Sequence, residues 1–84
     1  MSIDEALEEL EGDEGNIRFK RLLTICEEFY GKPRVKGSHH IFKTPWPGDP
    51  RINLQEGGGG GKAKPYQVRQ VIQALKRSKG GVGE

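Results

Sequence analysis

The chain has 84 residues, 32% of them hydrophobic and 31% charged, and its formal net charge is +2. This length allows one small hydrophobic core, no apolar run approaches the roughly 20 residues of a membrane-spanning helix, and a single cysteine cannot form an intramolecular disulfide. These properties exclude a two-domain protein, a transmembrane protein and a disulfide scaffold. We expect a soluble, cytoplasmic protein.

The charge is distributed unevenly along the chain. Residues 1–15 carry seven acidic side chains and no basic one, so residues 16–84 hold all 14 basic side chains against five acidic ones, a balance of +9. This excess of positive charge over residues 16–84 is typical of proteins that bind polyanions, although it can also be a basic surface that only keeps the protein soluble. The acidic segment could be a solvated tail, or residues 3–11 could fold over the basic face as a weak internal inhibitor.

Two helices are predicted in the first third of the chain. The first is short and amphipathic, because apolar residues recur at helical spacing before Gly12 (Ile3, Ala6, Leu7 and Leu10). The second has Asn16 as its N-cap and ends at Gly31, with a similar apolar stripe (Phe19, Leu22, Leu23, Cys26 and Phe29). The position of Cys26 on this stripe favours a small buried hydrophobe over a reactive thiol.

Three short strands are predicted in the middle of the chain, over residues 32–37, 38–44 and 51–55. A tight connection near Gly37 joins the first two strands, and the proline-rich residues 45–50 form the loop before the third. Ile52 and Leu54 alternate with polar residues, so we expect them on the buried face of the sheet.

A final helix is predicted from Pro65, because proline is favoured in the first helical turn and apolar residues follow at helical spacing (Val68, Val71, Ile72 and Leu75). The five glycines before it are expected to form a flexible loop. They are not a phosphate-binding P-loop, because Lys62 is followed by Ala63 instead of Ser or Thr. The residues from Ser78 to Glu84 are expected to fray.

The resulting order is α-β-β-β-α with an optional helix in front, which predicts an α+β fold. Two helices would cover one face of a three-stranded antiparallel sheet and leave the other face for solvent or a partner. Double-stranded-RNA-binding domains have this layout and read RNA through its shape, phosphates and 2′-OH groups. The predicted organisation is an acidic N-terminal extension, a core domain and a flexible tail (residues 1–15, 16–79 and 80–84).

The two histidines of the chain, His39 and His40, are adjacent at the start of a predicted strand. Histidine is the side chain best suited to proton transfer near neutral pH. Adjacent strand residues point to opposite faces, so the two imidazoles cannot act on the same group and make a poor metal site. The other interpretation is a pair of partly exposed strand histidines without a chemical role.

Residues 37–43 (Gly-Ser-His-His-Ile-Phe-Lys) resemble the signature of the HicA family, the toxins of HicA–HicB toxin–antitoxin pairs. Residues 61–65 (Gly-Lys-Ala-Lys-Pro) are similar to that family's basic entry into its last helix. The resemblance covers residues 17–77. The chain departs from the family in its long acidic extension, its proline-rich loop and its five glycines.

The resemblance implies a ribonuclease with a double-stranded-RNA-binding-like fold. Such a protein cleaves messenger RNA and is held inactive by a HicB-like antitoxin in a hetero-oligomer. The family's catalytic histidine follows the Gly-Ser pair, which corresponds to His39 here, and His40 inherits no role.

The residues themselves are compatible with this chemistry. RNA carries its own nucleophile, the 2′-OH, so cleavage needs neither a metal nor another cofactor, and His39 would transfer the proton. Candidates for contacts with the RNA phosphates are nearby polar and basic residues (Lys36, Ser38, Lys43, Arg51, Lys62 and Lys64). Ser38 could also orient His39 or simply begin the strand.

Two other functions remain open from the sequence. The chain could be an RNA-binding module without cleavage, or a protein-interaction domain that uses the exposed sheet face. Trp46 could stack on a base, fill the edge of the core or contact the antitoxin.

Overall fold

A computed structural model describes residues 1–48, 51–57 and 61–80 of the chain. Within these residues the protein is α+β, with three α-helices and one antiparallel sheet of three strands. The helices are α1 (Ile3–Gly12), α2 (Phe19–Tyr30) and α3 (Pro65–Lys79), and the strands are β1 (Arg34–Lys36), β2 (His39–Phe42) and β3 (Ile52–Gln55). The predicted order of elements is confirmed, including the optional helix in front.

The sheet is a simple meander with strand order β1-β2-β3. Its strands are shorter than predicted. The turn between β1 and β2 depends on Gly37, whose φ of 62° lies in the left-handed region that side chains with a Cβ disfavour. Lys36 pairs with His39 across this turn, and His39 pairs with Gln55 on β3.

The two faces of the sheet have different environments. Phe42, Ile52 and Leu54 are buried on the face that packs against α2 and α3, which confirms the predicted burial of Ile52 and Leu54. Residues that alternate with them, among them His39 and Asn53, lie on the opposite face. We call this opposite face the open face.

Helix α3 also covers the outer edge of β3. The Gln70 side-chain oxygen accepts a 2.7 Å hydrogen bond from the backbone N–H of Asn53, and the Gln67 side-chain nitrogen donates a 3.0 Å bond to the carbonyl of Gln55. These bonds satisfy backbone groups that an edge strand otherwise leaves unpaired. They also fix the position of β3 relative to α3.

Helix α1 packs against α3 and contributes to the common core through Ala6, Leu7 and Leu10. Its N-terminus carries a capping box, in which Glu5 N–H donates to Ser2 Oγ at 3.1 Å and Ser2 N–H donates to Glu5 Oε1 at 2.8 Å. This arrangement satisfies two otherwise unpaired donors at the helix end. The acidic segment is therefore a folded part of the domain.

The prediction of Asn16 as the N-cap of the second helix is wrong. Asn16 ends a short 3₁₀ helix (Glu14–Asn16), where its side-chain amide donates to both carboxylate oxygens of Asp13. Helix α2 starts after Arg18, and the N–H of its first residue, Phe19, donates to the carbonyl of Gly61 at 2.9 Å. A contact distant in sequence thus satisfies a donor that the helix itself leaves unpaired.

The predicted fraying from Ser78 is also wrong for the first residues of that segment. Helix α3 continues to Lys79, and the Ser78 hydroxyl forms a 2.8 Å hydrogen bond with the hydroxyl of Tyr30 on α2. Residues 81–84, most of the five-glycine run (58–60) and the end of the proline-rich loop (49–50) lie outside the described residues. No helix in the described part of the chain combines the length and apolar character needed to cross a membrane.

Candidate functional site

The central residue of the candidate site is His39, which lies partly exposed on the open face. Its Nδ1 atom is 3.1 Å from Oδ1 of Asn53 on β3. A carbonyl oxygen can only accept a hydrogen bond, so Nδ1 carries the proton in this contact. In the neutral ring, Nε2 then holds the lone pair and can accept a proton.

Asn53 was not among the residues predicted for the site. It lies diagonally across from His39, because the direct partner of His39 in the register is Gln55. The backbone of Asn53 is bonded to Gln70, so helix α3 and strand β3 together position the histidine. The alternation in β3 is a signal that could have placed Asn53 on the open face.

Ser38 is bonded to β3 and not to His39. Its hydroxyl oxygen accepts a 3.2 Å hydrogen bond from the Gln55 side chain, and its carbonyl accepts a 3.4 Å bond from the N–H of Glu56. These contacts hold the turn that begins β2. The geometry therefore gives Ser38 a structural position next to the histidine.

The open face is rich in unpaired cations. Lys36 is the direct cross-strand partner of His39, and Arg34, which was not predicted as a site residue, pairs with Ile41 one position further on the same face. Lys43 follows the end of β2, Arg51 precedes the start of β3, and both line a shared depression beside Trp46. None of these four cations forms an ion pair with a described residue.

The acidic N-terminal segment neutralises a different surface. Its carboxylates pair with cations of the helical layer, as Glu9 does with Arg21 at 2.7 Å and Glu11 does with Lys76 at 3.2 Å. Further pairs of this kind join Glu14 to Arg69 and Asp4 to Lys79. Residues 3–11 therefore fold over basic residues of the helical layer and not over the open face, whose four cations have no ion-pair partner among the described residues.

The structure does not bring Lys62 and Lys64 to His39. The backbone of Lys62 pairs with that of Arg18 in an isolated antiparallel β-bridge. The Nζ atom of Lys62 donates a 2.8 Å hydrogen bond to the side-chain oxygen of Asn16. Lys64 is the residue before α3, and no hydrogen bond or ion pair among the described residues joins it to the histidine. Both lysines therefore belong to the helix ends and not to the group around His39.

The second histidine faces the helical layer, and the predicted placement of the two imidazoles on opposite faces of the sheet is confirmed. The His40 ring makes an edge contact with the ring of Phe19 on α2, with 5.6 Å between the ring centres. Its Nδ1 atom is buried and has no hydrogen-bond partner in the described part of the protein. His40 is thus a packing residue that cannot reach a ligand on the open face.

Two further residues are buried as structural elements. Cys26 is fully buried on α2, and burial, with a smaller contribution from Glu27, raises the pKa of its thiol to about 12. Trp46 is 5% exposed, and the guanidinium of Arg77 lies 4.4 Å from its ring centre. Trp46 therefore fills the edge of the core in this structure.

No protein-family model, curated protein or solved structure matches the chain. Function must therefore be argued from the residues of the open face.

Proposed function

We propose that the chain is a metal-independent endoribonuclease that cleaves messenger RNA, with His39 as the proton-transfer residue. The observation that carries the proposal is the hydrogen bond between His39 Nδ1 and Asn53, on a face where the neighbouring cations form no ion pair with a described residue. A histidine held in one tautomer beside free cations can move a proton next to a bound phosphate.

The reaction uses the RNA's own 2′-OH as the nucleophile. His39 Nε2 takes the proton of this hydroxyl, the 2′-oxygen forms a bond to the adjacent phosphorus, and the bond to the 5′-oxygen breaks. The leaving 5′-oxygen takes a proton from water or from the imidazolium, which leaves a 2′,3′-cyclic phosphate. Lys36 and Arg34 stabilise the negative charge that develops on the phosphorane oxygens.

The expected rate is modest. General acid–base help contributes about 10²- to 10⁴-fold, and the described residues place no second proton-transfer group in contact with His39. A slow nuclease is sufficient for a toxin, because one cut inactivates a long message.

The biological role that we propose is that of a HicA-like toxin in the cytoplasm. Support comes from the α-β-β-β-α order with helices on one face, which resembles double-stranded-RNA-binding domains, and from residues 37–43, which resemble the HicA signature. A HicB-like antitoxin with an acidic surface would cover the open face and block it, because opposite potentials favour such docking.

Expression in a bacterium without the antitoxin tests this proposal. The wild type should arrest growth and deplete total messenger RNA, and His39→Ala should do neither. His40→Phe is the matched control, because it replaces the neighbouring imidazole and keeps an aromatic ring against Phe19.

Message loss with a folded His39→Ala protein would refute the assignment. Normal growth with intact messages for all three proteins would favour the RNA-binding module without cleavage, or the protein-interaction domain.

A further inference from the structure

A second concave surface lies outside the His39 site, between α3 and the outer edge of β3. This groove has a volume of about 590 Å³, and its floor is apolar, formed by Trp46, Ile52 and Ala74. We call it the Trp46 groove. The proposed cleavage chemistry uses none of these floor residues.

The rim of the Trp46 groove is cationic. Arg51, Lys76 and Arg77 line it, and no carboxylate is among the described lining residues. Lys76 is paired with Glu11, whereas neither arginine forms an ion pair with a described residue. An apolar floor with a cationic rim fits an anion that also carries a flat or apolar body.

Arg77 turns the floor into a flat platform. Its guanidinium lies over the Trp46 ring at 4.4 Å from the ring centre, and the Arg77 side chain is otherwise exposed. An exposed guanidinium that lies over an indole offers nucleic-acid bases a cationic group on which to stack.

Two carboxamides stand beside this platform. Gln70 and Gln73 line the groove, and the Gln70 oxygen is already used by the backbone of Asn53, which leaves its NH₂ group to donate. Carboxamides donate and accept in one plane, as the edge of a base does. A nucleotide combines all three complementary groups in one unit, because its phosphate suits the cations, its base suits the exposed guanidinium, and the edge of its base suits the carboxamides.

The groove continues from the open face. Arg51 lines the groove and also the depression that contains Lys43. It is two residues from Asn53 on the same chain segment, a distance of about 7 Å at the usual strand rise. A single RNA strand that passes His39 along β3 would therefore reach the groove.

We propose that the Trp46 groove binds an unpaired base of single-stranded RNA next to the cleavage site, with the base on the Arg77 guanidinium and a flanking phosphate on Arg51. The choice of RNA as the ligand rests on the proposed function. The groove gives the enzyme a preference for unpaired RNA over duplex, because a stacked base must leave its own helix.

Intrinsic fluorescence can test this proposal, because Trp46 is the one tryptophan of the chain. The probe is a short single-stranded oligoadenylate with 2′-O-methyl groups, which lacks the nucleophile and cannot be cleaved. We expect a saturable change of Trp46 emission. Arg77→Gln, which removes the guanidinium, should weaken binding about tenfold, the size typical of a lost base stack. Gln73→Glu, which puts a negative charge in the groove, should weaken binding by a similar factor, because the carboxylate repels the phosphates of the RNA.

Arg69→Gln is the matched control. It lowers the net charge by the same amount as Gln73→Glu and lies on the same helix, but Arg69 pairs with Glu14 outside the groove. Its loss of affinity should be much smaller. Circular dichroism verifies folding. If Arg77→Gln loosens the loop that contains Trp46, Gln73→Glu still tests the groove, because it leaves the contact between Arg77 and Trp46 in place.

Three results would overturn the proposal. The anisotropy of an end-labelled probe could show binding while the Trp46 emission stays unchanged and Gln73→Glu binds the probe with the same affinity as the wild type. An acidic peptide could fill the groove while the oligoadenylate does not. The probe could also fail to bind at all. Cleavage of unmodified RNA by the wild type is measured separately, so failure of the groove and failure of the nuclease are distinguishable.

Discussion

Replacing Asn53 by alanine tests how the site holds its histidine. The substitution removes the acceptor of the 3.1 Å hydrogen bond from His39 Nδ1 and leaves the backbone bond to Gln70 in place. Such a bond contributes about 1 kcal/mol net, which corresponds to about a fivefold change in the ratio of the two neutral tautomers. Because only the tautomer with a free Nε2 can take the 2′-OH proton, cleavage should fall by up to about fivefold.

The tautomer can be measured without any enzyme activity. Nitrogen-15 chemical shifts of the His39 ring distinguish a proton on Nδ1 from one on Nε2, and Asn53→Ala should move the proton toward Nε2. Asn53→Asp retains an acceptor and should restore the wild-type tautomer. Gln55→Ala is the control, because Gln55 is the direct strand partner of His39 but its side chain contacts Ser38. An unchanged tautomer and rate in Asn53→Ala would refute the reasoning.

The remaining predictions concern the core and the open face. Leu10→Ala should lower the free energy of unfolding by about 2–5 kcal/mol in urea titrations, since Leu10 is fully buried. A decrease of only about 0.5 kcal/mol, as is usual for a surface substitution, would contradict the role of α1 in the core. The thiol of native Cys26 should resist labelling at pH 8, because burial raises its pKa to about 12 and keeps it protonated, and fast labelling without denaturant would contradict this. In a plot of log binding constant against log salt concentration, Lys36→Gln should reduce the magnitude of the slope by about 0.7, because one phosphate contact is lost. Lys79→Gln should leave the slope unchanged, because Lys79 is paired with Asp4. Equal slopes for the two variants would contradict the charge distribution described above.

Local patterns were sufficient for the order of the elements. The alternation of Ile52 and Leu54 predicted a half-buried strand, and Pro65 marked the start of α3, because both signals act within a few residues. The capping box of Ser2 and Glu5 was equally local and readable, since Ser and Glu stand three residues apart before an apolar stripe. It was missed although its signal is present.

Features that depend on distant contacts could not be predicted. The N–H of Phe19, the first residue of α2, donates to the carbonyl of Gly61, and no pattern near Asn16 carries that information. The pairing of His39 with Asn53 depends on the register between β2 and β3, two strands whose paired residues lie 10 to 16 positions apart in the chain. The placement of the acidic residues against helical cations follows in the same way from the packing of α1 on α3.

Cleavage of a defined single-stranded RNA by purified protein in the presence of a metal chelator tests the central claim most directly. The account predicts that the wild type produces fragments ending in a 2′,3′-cyclic phosphate, and that folded His39→Ala produces none while still binding the RNA. Equal cleavage by the two proteins, or cleavage that the chelator abolishes, would contradict it.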